Sequence, residues 1–143
     1  MLRGASAAAL ALAAIAAAPA AAKVNKLDDL RVEPRSGPPT KRFHIRFTAR
    51  NDMTRHRRLY DVEATGPDED APGCVSGTAN FIHPPKGKKV TVILPRRPAT
   101  PDWCLGHYKG YVFYEVWDRY GDTIRDKIVG RFSFDVAVAA ARR

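Results

Sequence analysis

Apolar and polar positions alternate with a period of two along several stretches of this chain. In RFHIRFTAR, residues 42–50, Phe43, Ile45 and Phe47 alternate with arginine, histidine and threonine. Such alternation is typical of a β-strand with one buried face and one solvated face. The same pattern recurs in LYDVEA (59–64), KKVTVILP (88–95), WCLGHYKGYVFYEVWD (103–118) and GRFSFDVAV (130–138). Each of these segments is therefore predicted to form a strand.

Two weaker segments complete the predicted elements. LDDLRVEP at 27–34 indicates a first edge strand that ends at Pro34, and CVSGTANFI at 74–82 is ambiguous between its two faces. Stretches rich in proline and glycine separate the strands, and no internal repeat or long helical stripe is visible. The pattern predicts an all-β, antiparallel sandwich or barrel of about seven strands.

The strand order carries a resemblance to a known class of domain. With its proline-rich loops and with GHYKG opening the penultimate strand, the chain resembles an immunoglobulin-like or fibronectin-like β-sandwich of secreted bacterial proteins. The resemblance implies that Tyr108 forms a tyrosine corner, its hydroxyl bonded to nearby backbone. The chain departs from antibody domains because the second strand has no cysteine and Gly110 stands at the sixth-strand cysteine position.

The first residues have the layout of a secretory signal peptide. A single Arg3 precedes an Ala/Leu/Ile run that ends in small residues, and cleavage is expected between Ala20 and Ala22. We therefore expect a signal peptide at 1–22 and one domain at 23–143, secreted or in the cell envelope, with the membrane used only for export. The alternative is an uncleaved membrane anchor.

Cys74 and Cys104 are the two cysteines of the chain. An even number of cysteines in an exported chain predicts a disulfide, and the alternatives are free thiols or metal ligation. The four histidines are scattered and do not repeat a zinc-binding spacing. We expect no metal and no cofactor.

The penultimate strand carries large aromatic residues on both of its faces. If Tyr108, Val112 and Tyr114 point inward, the outer face presents Tyr111, Phe113 and Trp117, with Arg131 from the last strand beside them. This face is the leading candidate site, for a polysaccharide of the cell wall or surface, or for a protein partner. Two simpler interpretations remain, namely that Arg131 lies over a ring or that a loop covers an aromatic residue.

A basic strand face is the second candidate site. The formal net charge is +9, and Arg42, Arg46 and Arg50 share the outer face of their strand, with Lys89 from a neighbouring strand. Such a row could bind an anionic wall or surface polymer, whereas nothing in the chain indicates a specific nucleic-acid partner. The alternative is a solvated face crossed by weak ion pairs.

Catalysis is the third hypothesis, and we expect none. Ser36, Ser76 and Ser133 lie in no nucleophile motif, and the acidic loop at 68–70 matches no calcium-binding motif. No glycine-rich phosphate loop is present. A buried acid or base with a perturbed pKa, placed in a cleft, would revive this hypothesis.

Overall fold

The computed structural model describes residues 26–68, 71–97 and 101–139. The predicted signal peptide at 1–22 lies outside the described residues. Within them the chain forms eight β-strands and no helix. The strands are β1 (Arg31–Glu33), β2 (Ser36–Gly37), β3 (Phe43–Thr48), β4 (Arg58–Thr65), β5 (Gly77–Ile82), β6 (Lys89–Leu94), β7 (Gly106–Trp117) and β8 (Thr123–Val136). The predicted all-β class is confirmed.

The strands form two sheets. One sheet has three strands in the order β1-β3-β6, and the other has five in the order β2-β8-β7-β4-β5. All pairings are antiparallel except that of β2 with β8. β2 is an eighth strand that the sequence pattern did not predict, and β8 begins seven residues before the predicted segment at 130–138. β7 and β8 together form a long hairpin.

The core lies between the two sheets. Phe43, Ile45 and Phe47 of β3 are buried, and the residues between them, His44 and Arg46, lie on the outer face. Phe43 stacks on Phe134 of the opposite sheet with ring centroids 4.0 Å apart, and Phe47 meets Tyr60 edge to face at 5.4 Å. Burying an aromatic or aliphatic side chain of this size contributes about 1.5–3 kcal/mol to stability. The alternation read from the sequence therefore selects the correct core face of β3.

Trp103 lies in the segment predicted as the penultimate strand, but its side chain is buried. In the alternation of residues 103–118, Trp103 has the same parity as Tyr111 and Phe113. However, β7 begins only at Gly106, so that Trp103 precedes the strand. Its indole is buried, and the Nε1–H donates to the carbonyl oxygen of Lys41 at 2.8 Å. The strand parity therefore does not extend to Trp103, which is a core residue.

The predicted disulfide and the tyrosine hydroxyl meet at one end of β7. Cys74 and Cys104 are joined, and the Cys104 N–H donates to the Val75 carbonyl oxygen at 3.1 Å. The Tyr108 hydroxyl lies 2.6 Å from the same Val75 oxygen and 3.1 Å from the Cys104 oxygen. This is the bond to nearby backbone that the resemblance implies. The cross-link and the hydroxyl together fix the loop before β5 to the entrance of β7.

Candidate functional site

The outer face of the five-stranded sheet brings the predicted aromatic residues together. β7 lies between β4 and β8, so that Tyr111 faces Glu63 on one side and Arg131 on the other. Tyr111, Phe113 and Trp117 are all partly exposed on this face, as predicted. Arg131 is exposed beside them. The strand register thus gathers all four candidate residues on one surface.

A fourth aromatic residue, Phe81 of β5, belongs to the same surface. Phe81 is 50% exposed and lies opposite Asp61 of β4, which in turn lies opposite Phe113. Its ring meets that of Trp117 edge to face at 5.7 Å, while the rings of Tyr111 and Phe113 lie 5.9 Å apart. We call the surface formed by Phe81, Tyr111, Phe113 and Trp117 the aromatic face.

Phe81 was not predicted to belong to the aromatic face, and the reason is structural. The segment 74–82 was ambiguous between its two faces, and only the pairing of β5 with β4 places Phe81 beside the other rings. A signal was nevertheless present in the sequence, since Phe81 is the one aromatic residue of the segment 74–82.

Carboxyl groups lie between the rings of the aromatic face. Asp61 of β4 is only 2% exposed, although the alternation of LYDVEA predicts a solvated position for it. Burial raises its pKa to about 8, helped by a hydrogen bond with Glu63 and by the charges of Glu63, Glu115 and Asp126. Among the described residues, Oδ1 of Asp61 has no hydrogen-bond partner. Burial under the aromatic face therefore favours the protonated form of Asp61.

Glu115 of β7 positions the indole of Trp117. The Nε1–H of Trp117 donates to Oε2 of Glu115 at 2.7 Å. Burial raises the pKa of Glu115, and the hydrogen bond from Trp117 opposes that shift. The bond holds the indole ring at the edge of the face, where it also contacts Phe81.

Asp61 has a perturbed pKa, which is one of the two features that would support catalysis. The other feature, a cleft, is not where Asp61 lies. Asp61 lies on the open face of a sheet, between Phe81 on β5 and Phe113 on β7, rather than in a cleft. Of the acidic loop at 68–70, Asp68 is exposed, and Glu69 and Asp70 lie outside the described residues. In the part of the chain that the structure describes, no group of three or more His, Cys, Asp or Glu is placed to hold a metal ion.

The basic strand face is present, and two of its arginines are paired with acids. The guanidinium of Arg46 lies 3.2 Å from Glu33, and that of Arg50 bonds to Asp28. The hydrogen bond from Arg50 lowers the pKa of Asp28. An anionic polymer would therefore compete with acids already in place.

The remaining two members of the basic face differ from each other. Arg42 donates from Nη2 to the carbonyl oxygen of Arg96 at 3.2 Å, so that its side chain is held along the surface. Lys89 is exposed and lies opposite Thr48, next to Arg46 on the same face. Of these four residues only Arg46 and Lys89 lie within strands, because β3 runs from Phe43 to Thr48. Among the described residues, Lys89 is the one of the four without a protein partner.

Comparison with known proteins adds no family to this geometry. No protein-family model matches the chain, and no curated protein matches it. No helix among the described residues is long and apolar enough to cross a membrane.

Proposed function

We propose that this chain is an exported immunoglobulin-like domain that binds a neutral polysaccharide through its aromatic face and has no catalytic activity. The single observation that carries the proposal is the clustering of four partly exposed aromatic side chains on one outer sheet face. Aromatic rings present flat apolar surfaces on which the apolar faces of sugar rings stack.

The polar groups of the face favour a polysaccharide over a protein partner. Glu63, Arg131 and Ser133 surround the rings, and sugar hydroxyl groups can donate to and accept from such side chains. The core of a protein interface is usually depleted in charged residues. The carboxyl group of Glu63, opposite Tyr111, disfavours an anionic chain next to the rings, which favours a neutral ligand.

The exported, immunoglobulin-like character rests on separate support. The sheet orders β1-β3-β6 and β2-β8-β7-β4-β5 are compatible with such a sandwich, and the Tyr108 hydroxyl occupies the place of a tyrosine corner. A disulfide suits an oxidising compartment. The signal-peptide pattern at 1–22 supports export.

A pull-down on insoluble polysaccharides tests this function. The protein is incubated with cellulose and with chitin, two uncharged polysaccharides, at low salt and at roughly 0.5 M salt, where the Debye length is about 4 Å. We expect retention on at least one material at both salts, because stacking is not screened. The double variant Tyr111→Ala/Phe113→Ala should lose about tenfold or more in affinity.

Tyr120→Ala is the matched control, because it removes an exposed ring from the β7–β8 turn and leaves the aromatic face intact. It should bind as the unmodified protein does. Urea unfolding confirms that each variant is folded. Failure of the unmodified protein to bind any of the materials, or equal retention of the double variant, contradicts the proposal.

A further inference from the structure

A second concave surface lies at the end of the sandwich where β4 begins and β7 ends. It is an open groove of about 760 Å³ between residues 54–58, which lead into β4, and residues 116–124 of the β7–β8 hairpin. We call it the arginine groove, because Arg55, Arg57 and Arg58 line one wall and Arg119 lies on the other. Trp117, at the edge of the groove, also belongs to the aromatic face.

Two acids near the groove accept hydrogen bonds from residues of their own loops. Oδ1 of Asp52 accepts from the N–H and the hydroxyl of Thr54, and Oδ1 of Asp118 accepts from the N–H groups of Tyr120 and Asp122. The bonds from Thr54 lower the pKa of Asp52, and the charge of Arg55 adds to this effect.

Among the described residues, the arginines of the groove form no salt bridge with an acid. In the described ranges 26–68, 71–97 and 101–139, no ion pair joins Arg55, Arg57 or Arg119 to a carboxylate. This contrasts with Arg46 and Arg50 of the basic strand face, which are both paired. The groove is thus a more available cationic surface than the row predicted from the sequence.

Two large, exposed apolar side chains line the groove beside the arginines. Tyr120 is 73% exposed and Ile124 is 65% exposed, both at the turn of the β7–β8 hairpin. The guanidinium of Arg119 lies over the Tyr120 ring, 4.7 Å from its centroid. Both side chains leave most of their surface open to solvent next to the cations, so that they are available to enter an apolar layer.

We propose that this end of the sandwich binds the surface of a membrane rich in anionic lipid. The arginines bind lipid phosphates, for which the planar guanidinium is well suited, and Tyr120 and Ile124 enter the interfacial layer. Charge complementarity selects an anionic surface, and the exposed apolar pair beside the cations selects a lipid surface over a dissolved polyanion. This role goes beyond polysaccharide binding and beyond the expectation that the membrane serves only export.

Vesicle co-sedimentation tests the proposal. The purified protein is mixed with vesicles of phosphatidylcholine alone, or with about 30% phosphatidylglycerol, at about 0.1 M salt. We expect binding to the anionic vesicles alone. Arg55→Ser/Arg57→Ser should weaken it by about fivefold for each arginine, and Tyr120→Ser/Ile124→Ser by about tenfold.

Two matched controls separate this site from general charge and apolar effects. Arg42→Ser/Arg46→Ser removes the same charge from the basic strand face, and Phe81→Ser removes an exposed ring from the aromatic face. Both should bind vesicles nearly as well as the unmodified protein does. Absence of binding to anionic vesicles overturns the proposal. It is also overturned if binding persists in Tyr120→Ser/Ile124→Ser, since that result indicates a polyanion site without lipid insertion.

Discussion

Asp61 lies directly opposite Phe113 in the antiparallel pairing of β4 with β7, and Phe81 flanks it on the other side. An acidic side chain on an outer strand face would normally reach water, but here it is almost completely buried. This burial favours the protonated form of the carboxyl group, whose Oδ1 has no hydrogen-bond partner among the described residues. The aromatic face is therefore also a source of pH-dependent stability.

We expect the free energy of unfolding to fall as the pH rises from about 4 to about 8. The folded pKa of Asp61 is about 8, against an ordinary value of 3.8, so that between these values the folded protein holds a proton that the unfolded chain has released. The stability is fully present at low pH and is lost as the pH approaches 8. Asp61→Asn cannot ionise and should raise the free energy of unfolding at pH 8 by on the order of 2 kcal/mol.

Urea titrations at pH 5 and pH 8 measure this difference. Asp122→Asn, which alters an exposed acid in the β7–β8 turn, is the control and should keep the pH dependence of the unmodified protein. Some pH dependence should remain in Asp61→Asn, because burial also raises the pKa of Glu115. An unmodified protein that is equally stable at both pH values contradicts the prediction.

Gly110 is predicted to tolerate no side chain. A Cβ atom at this position of β7 would lie 2.1 Å from the ring of Phe132 on β8. Because the residue is buried between strands, Gly110→Ala should force the ring out of its place and cost about 1–3 kcal/mol. Gly77→Ala is the control, since its Cβ would meet its nearest neighbour at an ordinary 3.8 Å. Thermal unfolding of both variants tests the difference, and equal melting temperatures would contradict it.

Local alternation predicts the strands whose two faces differ. β3 and β7 alternate between buried and exposed positions over most of their lengths, and both were found from the sequence. β2 is only two residues long and has no pattern to detect. The first residues of β8, from Thr123 to Lys127, are all exposed, so that no alternation marks them. Only pairing with β7 makes them a strand.

The candidate site was predictable to the extent that it lies on one strand. Tyr111 and Phe113 share a strand face, and period two alone brings them together. Phe81 joins them through the pairing of β5 with β4, which is a non-local contact. The burial of Asp61 depends on the same pairing. Sequence patterns assign a residue to a face, but they do not tell whether its neighbours on that face will cover it.

The Tyr108 hydroxyl is expected to contribute measurably to stability. It donates to the backbone carbonyl oxygen of Val75, at 2.6 Å. Tyr108→Phe keeps the ring and its stack on Phe134 but leaves that carbonyl oxygen without the hydroxyl, which should cost about 1–2 kcal/mol.

Tyr114→Phe provides the comparison for Tyr108→Phe. Tyr114 is also buried on β7, and its hydroxyl forms no hydrogen bond within the described residues. Its loss should therefore change the free energy of unfolding by less than about 0.5 kcal/mol. Urea unfolding of the two variants at neutral pH is the measurement. Equal losses would mean that the bond to Val75 contributes nothing beyond ring packing.

The pairing of Arg46 and Arg50 with acids predicts how the basic strand face responds to a polyanion. In the folded protein Glu33 and Asp28 occupy these two guanidinium groups. Glu33→Gln/Asp28→Asn removes both competing carboxylates, so that a sulfated chain can reach the arginines directly. We expect this variant to elute from a heparin column at a distinctly higher salt concentration than the unmodified protein.

The control for the heparin experiment must change the charge equally at other positions. Asp102→Asn/Asp122→Asn removes two exposed carboxylates that pair with neither arginine. It should shift elution less than Glu33→Gln/Asp28→Asn does, because non-specific attraction grows with net charge in both variants but only one of them frees Arg46 and Arg50. Equal shifts would mean that the ion pairs do not limit polyanion binding, and that the basic strand face acts through net charge alone.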